Sequence, residues 1–148
     1  AANIYRKIKY KESTFYIIPE QNPGINLDFS IKSRLEESQD VHRKIKEFCI
    51  ENNVSGSRAN LAAVCAEEMT VNIIKFGGKS SNWIDINLCL EEDILNLRIR
   101  DNGVNFNPLE YKNDSEEFDI HGIELVKKIS KSMNYIRAID MNNTIISF

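Results

Sequence analysis

Apolar and polar residues alternate in several segments of the chain, and a period of two is typical of strands that bury one face. These segments are 25–31, 83–90, 95–100, 134–140 and 144–148. The acidic run 91–93 separates the second segment from the third, so we expect an antiparallel hairpin there. The last two segments are expected to pair as a closing hairpin around a turn at 141–143.

Three other segments have apolar residues at every third or fourth position, which is typical of helices. The first covers about 33–52 and opens with Ser33 and Glu36, a spacing that predicts a capping box. The second, 58–76, is apolar on nearly every side, which predicts a central helix buried on several sides. The acidic segment 107–119 has no periodicity and is expected to be a lid or binding loop. The third helix follows this segment. The stripes of the first and last helices are formed by Val41, Ile45, Phe48, Cys49, Ile123, Val126, Ile129 and Met133.

The order of these elements predicts an α/β (α+β) two-layer sandwich over residues 24–148, with a mixed sheet and about three helices on one face. Residues 1–23 are expected to be a separate N-terminal extension, and its strand-like runs 4–10 and 14–18 predict a β-hairpin. Four basic residues indicate the solvated face of an edge strand or, alternatively, an interaction arm. They are Arg6, Lys7, Lys9 and Lys11.

The composition is that of one globular domain, with 148 residues and a net charge of −3. The chain lacks a basic footprint, so no nucleic-acid partner is expected. No apolar run reaches the length of a membrane-spanning helix, so no membrane insertion by this segment is expected. Three widely spaced cysteines in apolar segments are expected to be reduced core thiols of a cytoplasmic protein. The first residue is not methionine, which leaves open a preceding membrane-spanning or regulatory region.

A carboxylate and a carboxamide interrupt the apolar surface of the central helix. Glu68 and Asn72 are four residues apart, which places them on one face, one turn apart. Leu61 and Cys65 share that face. Because a buried carboxylate without a partner is costly, we expect this face to border a pocket, a cation or a bound ligand. The alternative is a hydrogen bond between Asn72 and Glu68 at a solvated seam.

Two further motifs lie downstream of the central helix. Asp101, Asn102 and Gly103 stand where the third strand ends, and Gly122 opens the last helix. Taken alone, the first motif is a common turn and the second is a loop glycine. A glycine at the start of a helix also suits a phosphate group, which binds to free backbone amides there.

In this order, the three segments resemble the nucleotide-binding boxes of the GHKL (histidine-kinase-like) ATPase superfamily: a Glu-x-x-x-Asn helix, an Asp-x-Gly turn and a glycine before the last helix. The likeness covers about residues 24–148, and within the superfamily the chain is most similar to the bacterial anti-sigma-factor serine/threonine kinases. The resemblance implies a Bergerat-type ATP-binding fold, ATP and Mg²⁺ as cofactors, and a cytoplasmic protein of signalling and transcription regulation. The implied partners are a nucleotide and a sigma factor or antagonist-like protein, and a homodimer is a further expectation.

The resemblance also implies a role for each matching residue. Glu68 would be the general base that activates a serine hydroxyl. Asn72 would bind Mg²⁺ through its carbonyl oxygen. Asp101 would accept a hydrogen bond from the exocyclic amine of adenine. The implied ATP-binding residues are Asn72, Asp101, Gly103, Asn105, Gly122, Ile123 and Thr144.

Three positions depart from the superfamily pattern. Asn105 stands where the middle motif has a second glycine, and asparagine tolerates the left-handed conformation. Ile120 stands where the final motif has an earlier glycine, and a β-branched residue is poor at positive φ, so the usual lid over the phosphates is not expected. Phe76 stands where these kinases often have a histidine. The departures favour nucleotide binding over efficient kinase activity.

Two alternatives to an active kinase stay open. One is a degenerate module that binds nucleotide or a protein partner without catalysis, as the C-terminal domain of a larger signalling or membrane protein. The other is the catalytic module of a histidine kinase. The second alternative predicts the same fold, but the sequence has no phospho-acceptor helix.

Overall fold

Five strands of the computed structural model form one sheet, and three helices pack on one of its faces. The structure describes residues 24–79, 81–111 and 121–148. The strands are β1 (Ile25–Lys32), β2 (Trp83–Glu91), β3 (Ile94–Asp101), β4 (Ser132–Ala138) and β5 (Met141–Ser147). The helices are α1 (Leu35–Glu51), α2 (Gly56–Phe76) and α3 (His121–Ile129). The architecture is α+β and fits the predicted two-layer sandwich.

The sheet order is β1-β2-β3-β5-β4, and every neighbouring pair of described strands is antiparallel. The prediction of a mixed sheet is therefore wrong. Two helices connect β1 to β2, and β2 begins beside the last residue of β1. The two strands are therefore antiparallel. β3 and β4 run in the same direction, but β5 lies between them, so these two strands do not pair.

The core lies between the sheet and the helices. On β2, Ile84, Ile86 and Leu88 are fully buried in this layer. α2 is the central helix, as predicted, because it packs against both α1 and α3. A polar contact also joins α1 to α2, since His42 Nδ1 lies 2.8 Å from Glu67 Oε2. This packing brings the C-terminal end of α2 close to the end of β3.

The first two helices start differently. α1 begins without a side-chain cap, so the capping box predicted from Ser33 and Glu36 is wrong. Ser33 accepts a hydrogen bond from the Ser81 hydroxyl instead. α2 is capped by Ser55, whose hydroxyl accepts a hydrogen bond from the N–H of Arg58.

The closing hairpin has its turn at a different place from the one predicted. Ile139 and Asp140 form the turn, and both have positive φ, 53° and 56°, which matches the twist that two-residue hairpins prefer. Met133 belongs to β4 and not to the last helix, which ends at Ile129. Asn142, predicted to lie in the turn, is a buried residue of β5.

Several predictions concern residues outside the described part of the chain: the hairpin over 1–23, most of the segment 107–119, and Ile120. Among the described residues, no helix has both the length and the apolar character that crossing a bilayer requires. The three cysteines are buried thiols. Cys49 and Cys65 lie in the core as predicted, whereas Cys89 lies on the opposite face of the sheet.

Candidate functional site

A narrow cleft opens between the last turns of α2 and the chain that follows β3. Its enclosed space is only about 20 Å³, and the volume reaches about 380 Å³ when the open solvent at its mouth is included. The apolar walls are formed by Met69, Ile73, Phe76, Val104, Phe106 and Pro108. The polar side chains of the cleft are Asn72, Asp101, Asn142 and Thr144. Apolar walls with a few convergent polar groups are typical of small-ligand sites.

Asp101 is the buried acid of this cleft, with 4% of the residue exposed. Its Oδ1 accepts a hydrogen bond from the Gly103 N–H at 2.9 Å and another from Asn142 Nδ2 at 3.1 Å. Burial raises the pKa of Asp101, and these two bonds and the charge of Arg137 only partly oppose the shift. Within the described residues both hydrogen bonds fall on Oδ1, which leaves Oδ2 for a ligand.

Asn142 holds the turn after β3, a role that the sequence analysis did not predict. Its Nδ2 donates to Asp101 and, at 2.8 Å, to the Val104 carbonyl. Its Oδ1 accepts hydrogen bonds from the Tyr135 hydroxyl and from Arg137. Arg137 also donates to the backbone of the turn at 3.0 Å. This network ties β4 and β5 to the loop that carries the site.

Replacing Asn142 with alanine should therefore lower stability, because the buried Asp101 carboxylate and the part-buried carbonyl of Val104 each lose a hydrogen bond. We expect the free energy of unfolding to fall by about 1–3 kcal/mol, measured by urea denaturation. The matched control is Asn143→Ala: the neighbouring amide points to the other face of the sheet and bonds only local carbonyls, those of Ile136 and Met141. Equal losses in the two variants would contradict the role of Asn142.

A glycine of the turn lets it approach a second glycine, at the end of α2. The Val104 N–H donates to the Gly77 carbonyl at 3.0 Å. A Cβ atom on Gly103 would lie 2.9 Å from that carbonyl and 2.8 Å from Asp101 Oδ1. A Cβ atom on Gly77 would lie 2.5 Å from the Ile73 carbonyl. Glycine at 103 therefore permits the close contact between the helix and the turn that bounds the cleft, whereas glycine at 77 leaves room beside the last turn of α2.

Glu68 and Asn72 meet the start of α3 at Gly122. The Asn72 amide donates to the main-chain carbonyl of Glu68 at 2.7 Å, which confirms the alternative of a hydrogen bond between these two residues. The bond does not lie at a solvated seam, however, because Asn72 is buried. A Cβ atom on Gly122 would overlap Glu68 Oε2 and lie 3.0 Å from Asn72 Nδ2. The structure thus brings together three residues that the sequence analysis singled out from distant motifs.

The orientation of the Asn72 amide follows from its backbone bond. Two oxygens would repel each other at 2.7 Å, so the atom next to the Glu68 carbonyl is the amide nitrogen. Among the described residues, Asn72 Oδ1 has no hydrogen bond, and the side chain lines the cleft. An amide oxygen is a hard ligand that suits Mg²⁺. The described residues include no group of three or more His, Cys, Asp or Glu side chains that could hold a metal ion together. A cation at Asn72 would therefore take further ligands from a substrate and from water.

A double-mutant cycle tests the contact between Gly122 and Glu68. Gly122→Ala should destabilise the protein by about 1 kcal/mol, because the new methyl group displaces the Glu68 carboxylate. The same substitution in a Glu68→Ala background should cost clearly less, because only the contact with Asn72 Nδ2 remains. Thermal unfolding measures both, and Gly56→Ala is the control because a Cβ atom there meets no atom within 4 Å. An equal cost in both backgrounds would contradict the contact.

The other predicted site residues divide between the cleft and its surroundings. Thr144 lies in the cleft, and the strand register points it to the helix side of β5. The Ile123 side chain is buried in the core, so it does not face a ligand. Asn105 is exposed, has no positive φ, and accepts a hydrogen bond from Tyr135. Glu68 does not line the cleft but adjoins it through Asn72.

The chain was compared with models of known protein families and with curated protein sequences, and neither comparison found a match. A functional assignment therefore rests on the geometry of the site. At one end a buried acid and a threonine face apolar walls. At the other end Glu68 and Asn72 lie against the first turn of α3.

Proposed function

We propose that this chain is an ATP-binding regulatory protein that acts as a serine/threonine kinase of the anti-sigma-factor type. The observation that carries the proposal is the cleft in which buried Asp101 and Thr144 face apolar walls. The resemblance of three motifs to the boxes of GHKL ATPases, which implies a Bergerat-type fold, supports the same function. The proposed partners are a sigma factor or an antagonist-like protein.

The cleft suits adenine better than guanine. Its apolar walls favour burial of a flat aromatic base. Asp101 is an acceptor, and adenine presents an exocyclic amine where guanine presents a carbonyl oxygen, which a carboxylate repels. The Thr144 hydroxyl both donates and accepts, so it can bond a ring nitrogen of the base. Guanine would leave the buried Asp101 carboxylate without a donor, which is costly. Asp101 therefore supplies specificity for adenine as well as affinity.

Asn72 and Gly122 suit the phosphate end of the nucleotide. Mg²⁺ bound with ATP supplies charge neutralisation across the phosphates. Asn72 would hold it, and the backbone bond of its amide fixes the carbonyl oxygen in place beforehand. Gly122 brings the first turn of α3 beside this pair, and the free backbone amides of a helix start attract phosphate oxygens.

Glu68 is the proposed general base. It takes the proton of a serine hydroxyl on the protein partner while the serine oxygen bonds to the γ-phosphorus and the bond to the bridging oxygen of ADP breaks. The products are phosphoserine, ADP and a protonated carboxyl group. Glu68 also lies near Cys65, where burial raises the pKa of the thiol to about 12 and the carboxylate adds to that shift.

A calorimetric titration with Mg-ATP tests the proposal. We expect saturable heat with one site per chain, competition by ADP and no comparable binding of GTP. A protein that shows neither heat nor a thermal shift at millimolar Mg-ATP would contradict ATP binding. Transfer is tested separately, by following phosphoserine on a candidate antagonist protein.

The raised pKa of Asp101 predicts how binding depends on pH. Only the ionised carboxylate accepts a hydrogen bond from adenine, so affinity should fall as pH drops through the pKa of Asp101. Because burial raises that pKa, the fall should begin at a higher pH than the ordinary value of 3.8 would give. Adenosine is the probe, since it has no phosphate groups that ionise in this range. Fluorescence or calorimetric titrations at several pH values measure the effect, and an affinity independent of pH down to 4 would contradict it.

A second candidate function is nucleotide binding without catalysis. It is favoured by the contact of Gly122 with the Glu68 carboxylate, which places the chain itself against the proposed base. Under this function Mg-ATP would bind with the predicted specificity, but no protein partner would be phosphorylated. Phosphorylation of an antagonist that disappears in Glu68→Ala would exclude it.

A further inference from the structure

Polar side chains are buried on the face of the sheet opposite the helices. Neighbouring residues of a strand point to opposite faces, so Asp85, Asn87 and Cys89 of β2 point away from the core. They are nevertheless only 1%, 0% and 5% exposed, and Arg100 on β3 is 8% exposed. We call these four residues the outer strip. An antiparallel sheet with helices on one face leaves the other face in water, so this burial requires a cover.

The outer strip has internal hydrogen bonds but also an unpaired acceptor. Asp85 Oδ2 accepts from Arg100 at 3.0 Å. Asn87 Nδ2 donates to Asp28 at 2.8 Å and to Asn26 at 3.1 Å. Asn87 Oδ1 is buried and has no partner among the described residues. A buried carbonyl oxygen without a donor is costly, so we expect the cover to bring an N–H or O–H group to this point.

The cover is narrow. Asp28 and Ser30 of β1, on the same face as the outer strip, are exposed. On β4 at the other edge, Asn134 is exposed and Ile136 is 60% exposed. The burial is therefore confined to the middle of the sheet. Its width fits one or two strands rather than a folded domain or the flat face of a second sheet.

Two stretches of the chain are long enough to be the cover: 1–23 and 112–120. Residues 112–120 follow Tyr111, which packs against the core on the helix side, and they lead into α3 on that same side, so they are badly placed to cover the other face. Residues 1–23 lead into Gly24, which lies beside the last residues of β2. Gly24 has φ of 119°, and a Cβ atom there would lie 2.6 Å from the Leu90 carbonyl, so this glycine permits a sharp bend next to β2.

The length and charge of residues 1–23 also fit. Two strands of about nine residues each reach about 30 Å, the length of β2. The segment has four Lys and Arg residues against two Glu, a charge of +2, so the rest of the chain carries −5 and attracts it. We propose that residues 1–23 dock on the outer strip as a third layer, with a side-chain or backbone donor bound to Asn87 Oδ1.

Cysteine labelling tests this docking, because Cys89 lies in the outer strip while Cys49 and Cys65 lie in the core. In the intact native chain all three thiols should react slowly with a maleimide. A variant that begins at Gly24 should label Cys89 about tenfold faster or more, with no change at the other two cysteines. Peptide mass mapping assigns each site. Adding a synthetic peptide of residues 1–23 should restore protection, and a scrambled peptide should not. Unchanged protection of Cys89 in the folded, shortened chain would overturn the proposal.

A second form of the experiment does not require the shortened chain to fold. A protease recognition sequence inserted between Pro23 and Gly24 allows the intact chain to fold before it is cut. The cut fragment should remain bound in native mass spectrometry, and Cys89 should stay protected until mild denaturant releases the fragment. A fragment that separates at once while Cys89 stays protected would overturn the proposal. Loss of Cys89 protection when the intact chain is diluted would also overturn the proposal. In that case a second copy of the chain, and not residues 1–23, would cover the outer strip.

Discussion

Replacing Glu68 with glutamine should lower the rate of phosphoryl transfer by about 10²- to 10⁴-fold, the usual worth of a positioned general base. Glutamine keeps the size of the side chain and its contact with Gly122, so nucleotide binding should stay close to that of the wild-type protein. The separation of the two effects is the expected signature, because a base acts on the rate and not on the ground-state affinity. Radiolabelled transfer to a partner protein, together with Mg-ATP calorimetry, measures both.

Glu67→Gln is the matched control for this experiment. Glu67 is the adjacent residue on α2, but it pairs with His42 on α1 and does not contact Gly122. Its substitution should leave transfer unchanged. If Glu68→Gln keeps the wild-type rate, or if Glu67→Gln loses it equally, Glu68 is not the base. Lost binding in Glu68→Gln would instead assign the residue to the nucleotide site itself.

Replacing Asp101 with asparagine should reduce ATP affinity by about ten- to a hundredfold, the equivalent of roughly 1.5–3 kcal/mol for a charged hydrogen bond. The backbone N–H of Gly103 and the amide of Asn142 both donate to Oδ1, so they hold the oxygen of the new amide at that position. The new NH₂ group then occupies the place of Oδ2. There it faces the adenine amine as a second donor, whereas it can donate to the carbonyl oxygen of guanine.

The same substitution should therefore also lower the preference for ATP over GTP. Stability should not fall, because burial raises the pKa of Asp101 and the fold already disfavours its charge. Asp28→Asn is the control, since Asp28 is an exposed residue on the other face of the sheet. Competition titrations with both nucleotides measure the preference. Unchanged affinity for ATP in Asp101→Asn would show that the base binds elsewhere.

Periodicity predicted the elements because burial on one face enforces it. The apolar positions of β2 and β3 form a buried row that includes Ile86 and Leu97, although Asp85 and Asn87 on the other face of β2 are buried as well. The four-residue spacing of Glu68 and Asn72 placed them one turn apart on α2, where both meet Gly122. Such local spacings are fixed by helix geometry. The pairing of distant strands is not, so the sequence did not show that β5 separates β3 from β4.

Asn142 shows why the centre of the site was missed. Consecutive asparagines are typical of turns, so Asn142 and Asn143 were assigned to the hairpin loop. The turn is formed instead by Ile139 and Asp140, although a β-branched residue is poorly suited to its φ of 53°. Placing Asn142 at an inward position of β5, two residues before Thr144, would have identified it. In the structure Asn142 donates hydrogen bonds to Asp101 and to the Val104 carbonyl. These tertiary contacts outweigh the local preference of asparagine for turns.

The central claim is that adenine binds in the cleft between α2 and the turn that follows β3, and methyl-detected NMR tests it most directly. Labelled Met, Ile and Thr methyl groups should be followed during titration with Mg-ATP. The account predicts saturable shifts at Met69, Ile73 and Thr144, which line the cleft, and none at Ile45, a core residue of α1. Shifts that map to another surface, or no shifts at millimolar nucleotide, would contradict it.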